Sequence, residues 1–211
     1  MTLNLRGHKN RVLFVSTHDL MPVSHHKLLK GQSKKSVTGD ELTDRYYTFI
    51  YNRKGDTKKK TFICGYSVAE DLLKLTHQEK LPLFNPLKSE CHEKEKTEDS
   101  TNKNSINARQ WHPLAKELSE SIDLLIICRN LSIDRVLAKI KVEVDKYYYV
   151  KPFESKVKAV NTIIGRLSPN KTLEEQVSLL SEHNNMKTYS FKRLNDVLKN
   201  NDLNSNFSTE N

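Results

Sequence analysis

The spacing of apolar positions changes part-way along the chain. Before about residue 64 they come in short runs or alternate, and beyond residue 113 they return every three to four residues. Arg11 to Ser16 (RVLFVS) is a short apolar run with β-branched content, which predicts a buried strand. Residues 17–44, punctuated by Pro22, Gly31 and Gly39, read as loop. From Tyr46 to Tyr51 the chain alternates, with Tyr47, Phe49 and Tyr51 on one face and Tyr46, Thr48 and Ile50 on the other. Both faces are partly apolar, so this strand is expected to pack on one side and be covered or used on the other. Gly55-Asp56 supplies a turn, and Thr61 to Cys64 returns as the second strand of a hairpin. Ser67 followed by Glu70 three residues later fits a capping box, opening a helix whose buried stripe is Val68, Leu72, Leu73 and Leu75. Leu81 to Lys88 carries two prolines and three leucines around Phe84, which excludes a regular helix and predicts an apolar strap over the first half's surface.

The second half reads as helices. Pro113 suits a first helical position, and Leu114, Leu118, Ile122 and Leu125 follow at helical spacing to an end near Arg129-Asn130. Ser132 can cap a second helix with Ile133, Val136, Leu137, Ile140 and Val144 on one face. Ile140, Val142 and Val144 also alternate as a strand would, so this part fits either element until Lys151-Pro152 ends it. A third helix is predicted from Ser155 through Ile164, with Gly165 as its stop. Thr172 and Glu175 form another capping box, opening a helix that ends near His183. Asn184-Asn185 turns the chain, and Thr188 caps a last helix with Phe191, Leu194, Val197 and Leu198 inside.

These elements predict an α+β protein with a small antiparallel sheet and one helix at the N-terminus and a helical bundle at the C-terminus. The expected organisation is a basic α+β domain at 1–87, a polar linker at 88–107, a helical domain at 108–199 and a disordered tail at 200–211. A mean hydropathy of −0.68 supports the expectation of linker and tail segments, because it is polar for a chain that packs throughout.

The charge is unevenly placed. Residues 1–60 hold 13 Lys and Arg against 5 Asp and Glu, whereas the remaining 151 hold 22 against 21. Nearly all of the net +9 therefore lies in the first third, densest at the turn NRKGDTKKK with Arg53, Lys54, Lys58, Lys59 and Lys60. Charge gathered in this way attracts polyanions through Coulomb attraction and counterion release. The same lysines also suit the protection of an edge strand. No apolar run approaches the roughly 20 residues of a membrane span, and the N-terminal stretch lacks a secretory leader's apolar core, so the protein is expected to be intracellular and cytoplasmic. Cys64, Cys91 and Cys128 are widely spaced and form no CxxC pair, which predicts free thiols and neither a disulfide nor zinc.

No catalytic signature and no cofactor motif stand out. His18, Asp19, His25 and His26 cluster in the first half, but adjacent histidines in a basic loop suit solvent or phosphate contact better than a metal. Glu143 and Asp145 beside Lys139 and Lys141 read as surface charges with pairs such as Lys139–Glu143.

Residues 45–76, a strand, a basic turn, the strand TFIC and a helix opening SVAEDLL, resemble two kinds of sheet-plus-helix DNA-binding module. These are the ethylene-response-factor domains and the arm-binding domains of phage integrases. The resemblance implies a sheet laid in the major groove with the helix packed behind it. Residues 177–196 resemble a helix-turn-helix, with Val177, Leu180, Met186, Phe191 and Leu194 at its apolar positions. That resemblance places Lys187, Thr188, Tyr189, Ser190, Lys192 and Arg193 at the exposed start of a recognition helix. It also makes a homodimer plausible, since such regulators commonly bind as pairs.

The function expected from these features is nucleic-acid binding, to DNA or RNA, most simply a DNA-binding regulator. Two other readings stand beside it. One is a small nuclease or toxin-like effector using the histidine cluster as acid and base. The other is a protein-interaction module docking through the Leu81–Leu87 strap and the helices.

Overall fold

The computed structural model describes residues 3–88, 110–131 and 133–209. In chain order its elements are α1 (His8–Thr17), β1 (His18–Lys27), β2 (Lys34–Lys35), β3 (Glu41–Leu42), β4 (Arg45–Arg53), β5 (Lys60–Cys64), α2 (Tyr66–Leu75), α3 (Pro113–Cys128), α4 (Arg135–Lys146), α5 (Glu154–Leu167), α6 (Leu173–Ser181) and α7 (Lys192–Lys199). The architecture is α+β, as its pattern predicts, with two helices in the N-terminal half where one was expected.

The aromatic alternation of β4 makes it the middle of a three-stranded antiparallel sheet, β1-β4-β5. Its two apolar faces are both covered. Tyr47 and Phe49 pack with Phe62, Cys64, Phe14 of α1 and Ala69, Leu72 and Leu73 of α2. On the other face Ile50 joins Val23 and Leu29 in the core built by the C-terminal helices, while Tyr46 packs with Leu28 and Ile63. Tyr46, Thr48 and Ile50 are all buried. The sheet is thus a filling between α1 and α2 on one side and α3 and α4 on the other. The polar stretch separates the two halves in sequence, but in space Val23, Leu29 and Ile50 join the core of the C-terminal helices, while the sheet's other face keeps its own cluster with α1 and α2. Apart from Lys88, the linker expected at 88–107 lies outside the described residues.

The strand expected at Arg11–Ser16 is a helix. Of α1 only Phe14 is buried, resting on Tyr51 and Phe62, while Leu13 is 66% exposed. Arg11 Nε and His8 Nδ1 reach Asp71 of α2 at 2.5 and 2.9 Å and fix α1 beside it. The place beside β4 is taken instead by the stretch expected to be loop. β1 shifts register between Pro22 and Ser24, leaving Val23 as an extra, buried residue. Before this bulge Leu20 faces Tyr51, and after it His25 faces Tyr47. Proline is tolerated there because β1 is an edge strand and the bulge leaves its missing N–H without a ladder role. Past the bulge, the strap pairs with β1's outer edge: Phe84 N–H donates to His25 O and Lys27 N–H donates to Phe84 O.

In the second half α3 is buried nearly all round, from Leu114 to Ile127, and the other helices pack about it. Pro113 opens it behind His112, whose ring accepts from Leu114 N–H. α4 resolves the ambiguity at 140–144 as helix, capped by Asp134 accepting from Leu137 N–H at 2.7 Å. Val136, assigned to its inner face, is half exposed, and the expected cap Ser132 lies outside the described residues. The capping box of Thr172 and Glu175 is present in α6. The one expected at Ser67 and Glu70 is not: α2 begins two residues earlier, at Tyr66 behind Gly65, and Glu70 pairs with Lys80.

Two other expectations are overturned by one contact. Gly165 lies within α5, not at its stop, because the chain after α7 runs across it. A Cβ at Gly165 would meet Asn206 Nδ2 at 2.7 Å. Residues 200–209, expected to be disordered, are ordered: Asn206 N–H donates to Asn161 Oδ1, Asn161 Nδ2 donates to Asn204 O, and Phe207 is fully buried. The carbonyls of Asn206 and Phe207 accept from Leu173 and Glu174 N–H at the start of α6, where a helix leaves donors without internal partners.

Candidate functional site

The hairpin tip forms from the turn residues as expected. Asp56 N–H donates to Arg53 O, with Gly55 at φ 83°, a conformation that suits glycine at the third turn position. Arg53, Lys54, Lys58, Lys59 and Lys60 are all exposed on it, and among the described residues none of the five forms an ion pair. The turn's own carboxylate, Asp56, accepts from the backbone N–H of Lys58 at 2.9 Å.

The sheet behind this tip does not present a free face, so the groove-filling posture of the ethylene-response-factor and integrase modules is closed to it. Tyr46, Thr48 and Ile50, the residues opposite α2, are all buried, Ile50 in the core of the C-terminal helices and Tyr46 against Leu28, Leu42 and Ile63.

The helix-turn-helix is not formed either. Residues 182–191 separate α6 from α7, where that motif has a turn of three or four residues. Lys187, Thr188, Tyr189 and Ser190 lie in this connection and not on a helix. Met186 bridges to Leu87, Lys187 N–H donates to Pro86 O, and Lys187 Nζ donates to Asn85 O, so the strap holds the segment extended. Tyr189 packs against Phe84, and burial followed by the charges of Glu120 and Asp123 pushes its phenol up. Thr188 caps nothing, since α7 starts behind Phe191. Lys192 is exposed, whereas Arg193 Nη1 and its backbone N–H both donate to buried Glu117. The two predicted groups also sit far apart along the sheet. Arg53 pairs with His18 at one end of β1, and the strap that carries Lys187 meets β1 at His26 near the other.

The histidine cluster disperses for the reason strands alternate. His18 stacks on Phe14, His25 stacks on Tyr47 on the α2 face, and His26 turns to the opposite face. Among the described residues no group of three or more His, Cys, Asp or Glu could hold a metal.

Two of the charges read as surface residues, Lys141 and the half-buried Asp145, instead join a polar cluster with buried Ser119, Asp123 and His26. Lys141, 5% exposed, donates to Ser119 Oγ at 2.6 Å and Asp123 Oδ2 at 2.8 Å, and pairs with Asp145 Oδ2 at 3.0 Å. Ser119 Oγ donates in turn to Asp145 Oδ1 at 2.7 Å. His26 Nε2 donates to the remaining Asp123 oxygen at 2.9 Å. Burial opposes the charge on Lys141, but the two carboxylates outweigh it and raise its pKa above the ordinary lysine value. Burial likewise works to raise Asp123, but Lys141 and His26 outweigh it and hold the carboxyl below its usual range. Asp145 goes the other way, raised by burial and then by Asp123. The three ammonium protons and both Asp123 oxygens are all used, so the cluster is a cross-brace joining β1, α3 and α4. Lys139–Glu143, the pair expected on this helix, is replaced by Lys156–Glu143.

This brace floors a cavity of about 250 Å³ between β1, the strap, Trp111, α3 and α4. The signal missed in the sequence is the helical spacing of Lys141 and Asp145, four apart and in step with Leu137 and Val144 on the inner face of α4.

Residues 3–199 match the sequence model of a family described as uncharacterised conserved protein UCP028583. The chain belongs to that family. No curated protein and no solved structure gave a match. The matched span takes in the basic hairpin, the strap and the brace, and ends at the last residue of α7. Among the described residues, no helix is long and apolar enough to cross a membrane.

Proposed function

We propose that this member of the family binds nucleic acid through the phosphate backbone, with the β4–β5 hairpin tip as its grip. The observation that carries the reading is the set of five exposed cations on one turn, none of them paired among the described residues. Unpaired surface ammonium and guanidinium groups exchange condensed counterions for phosphates at little desolvation cost. The uneven charge, with most of the net +9 in residues 1–60, points the same way.

The geometry argues for backbone contact over base reading. Both faces of the sheet are covered, and no helix starts at Lys187 to Ser190. Of the aromatic residues of β4 and β5, Tyr46, Tyr47, Phe49 and Phe62 are buried, which leaves them no role as a stacking platform for unpaired bases. The expected selectivity is therefore for charge and backbone spacing.

The test is fluorescence anisotropy with single-stranded DNA, duplex DNA and RNA across a salt series. Wild type should bind at about 50 mM salt and lose affinity with a log–log slope of up to about −3.5 on single strands or −4.5 on duplex, if all five cations engage. Lys58→Ala/Lys59→Ala/Lys60→Ala should flatten that slope by about 2 to 3. Lys187→Ala and Lys192→Ala should leave it unchanged. Absence of binding at low salt, or a triple variant that binds like wild type, overturns the proposal.

A further inference from the structure

The outer side of α4 and the connection that follows it carry chemistry the hairpin tip does not. Arg135, Lys139 and Lys146 are all exposed. At about 100° per residue they fall within about 40° of one another around the helix, in a line about 16 Å long. Among the described residues none of the three forms an ion pair, and the neighbouring acids are engaged elsewhere. Asp134 caps Leu137 N–H, Glu143 pairs with Lys156, Asp145 lies in the brace, and Glu154 accepts from Asn201 Nδ2. The line begins beside the hairpin. Thr61, the residue after Lys60, donates through Oγ1 to the carbonyl of Ile133 at 3.2 Å, two residues before Arg135.

The line ends at aromatic rings. Tyr149 and Phe153 are 61% and 71% exposed, and Tyr147 and Val150 stand nearly half out of the surface. Large apolar side chains grouped in this way mark an interaction surface. Their backbone is fixed: His112 N–H donates to Tyr148 O at 2.8 Å, Val150 N–H donates to Tyr147 O at 3.0 Å, and Pro152 is buried. Tyr149 stands at 83° to half-buried Tyr148, whose ring lies 5.5 Å from that of Trp111. Lys146 Nζ lies 5.3 Å from the Tyr147 ring centroid and Lys156 Nζ 5.1 Å from that of Phe153, so cations and rings are interleaved. A groove of about 400 Å³ opens along Tyr147, Val150 and Phe153, within the size range of ligand sites.

We propose that this face is a track for single-stranded nucleic acid, with phosphates along the α4 cations and bases stacked on Tyr149 and Phe153. The inference rests on the nucleic-acid reading of the hairpin and adds a preference for unpaired bases, which the tip alone lacks. Cations in a line, leading to exposed rings, match a polyanion that carries its own flat groups. In a duplex the bases stack on one another and are closed to the rings, so only the charges are used.

The experiment measures anisotropy of the full chain with labelled single-stranded DNA and RNA of about 15 nucleotides, and with duplex DNA of equal length. Wild type should bind a single strand more tightly than the duplex, although the duplex carries the denser charge. Tyr149→Ala/Phe153→Ala should lose at least about tenfold on single strands and less than about twofold on duplex. Tyr149→Trp/Phe153→Trp should keep the single-strand affinity, since the stacking surface remains. Arg135→Gln/Lys139→Gln/Lys146→Gln, a second route to the same face, should flatten the single-strand salt slope by about 2. All these positions are exposed, so each variant should unfold at the wild-type urea midpoint. A duplex bound as tightly as a single strand, or an alanine pair that binds single strands like wild type, overturns the proposal. If Lys58→Ala/Lys59→Ala/Lys60→Ala still weakens binding in that case, the hairpin reading stands alone, whereas no binding at low salt removes both. Capture on phosphatidylserine vesicles, or self-association in sedimentation, that needs the two rings while oligonucleotide binding does not would assign the face to a membrane or a second copy and likewise overturn it.

Discussion

Cutting the brace at Lys141 offers the sharpest test of how the two halves are joined. Lys141→Met keeps the side chain's length and apolar stem but removes the ammonium. Asp145 and Asp123 are then left as carboxylates in a site where Lys141 was only 5% exposed. Breaking one partner of a buried pair costs about 3–5 kcal/mol, because the remaining charge stays buried without compensation. Asp123→Leu should cost a similar amount, since it strips Lys141 of its closest carboxylate and His26 of its acceptor. The double variant should recover much of the loss, with a coupling energy of about 2–3 kcal/mol across the double-mutant cycle. Urea unfolding followed by Trp111 fluorescence and far-ultraviolet circular dichroism gives all four values. With a slope of about 2 kcal/mol per molar, each single change should lower the midpoint by roughly 1.5–2.5 M. The pH dependence carries the same signature. Asp123 titrates below its unfolded value, so its contribution is present above the ordinary carboxylate range and lost as pH falls through its depressed native pKa. Lys141 titrates above its unfolded value, so its contribution is present below the ordinary lysine range and lost as pH rises through its raised native pKa. Single variants costing under about 1 kcal/mol each and adding independently would refute the brace as a coupled unit.

Two further outcomes follow from packing. Phe207→Ala should destabilise the protein by about 3–5 kcal/mol in urea unfolding, a loss no frayed tail would show, and Gly165→Ala by about 1 kcal/mol as Asn206 is pushed off Asn161. In a Cys91→Ser variant at pH 8, Cys64 and Cys128 should react with a disulfide reagent at least about 100-fold more slowly when native than in urea. Burial raises both thiols, Cys128 to about 12, and rapid native labelling would contradict that.

What the sequence shows clearly is whatever local chemistry decides. The β4–β5 hairpin follows from aromatic alternation around Gly55, α3 from Pro113 and its leucine stripe, and α6 from the Thr172–Glu175 box. The misses are places where distant partners decide. β1 carries Pro22 and three histidines and lacks a strand's composition, and it is held by β4 and by Phe84 of the strap. Arg11–Ser16 has a strand's composition and becomes a helix because Asp71 and Phe62 receive Arg11 and Phe14. The chain after Lys199 looks like tail until Phe207 finds the core and Asn206 finds Gly165. The five hairpin cations were legible because solvated charge clusters in sequence. The brace was not, because its parts come from β1, α3 and α4, and a lysine reads as surface until two carboxylates are known to surround it. The apolar spacing at 177–196 belongs to a real pair of helices, but ten residues between them carry the strap's partners and rule out the tight turn.

Val23 sets a reading frame for the strand that holds it. Residues before the bulge and after it point in opposite senses for the same odd or even number, so Leu20 and His25 share a face and Met21 and His26 share the other. Deleting Val23 would remove the bulge and leave a regular ladder, with His25 still opposite Tyr47 and His26 still opposite Tyr46 and turned to Asp123. A change of two residues elsewhere in β1 would preserve the assignment of faces, and a change of one would not. Insertions and deletions in this strand are thus constrained in parity, much as those in a coding sequence are constrained in triplets, with Val23 the one position where an odd count is correct.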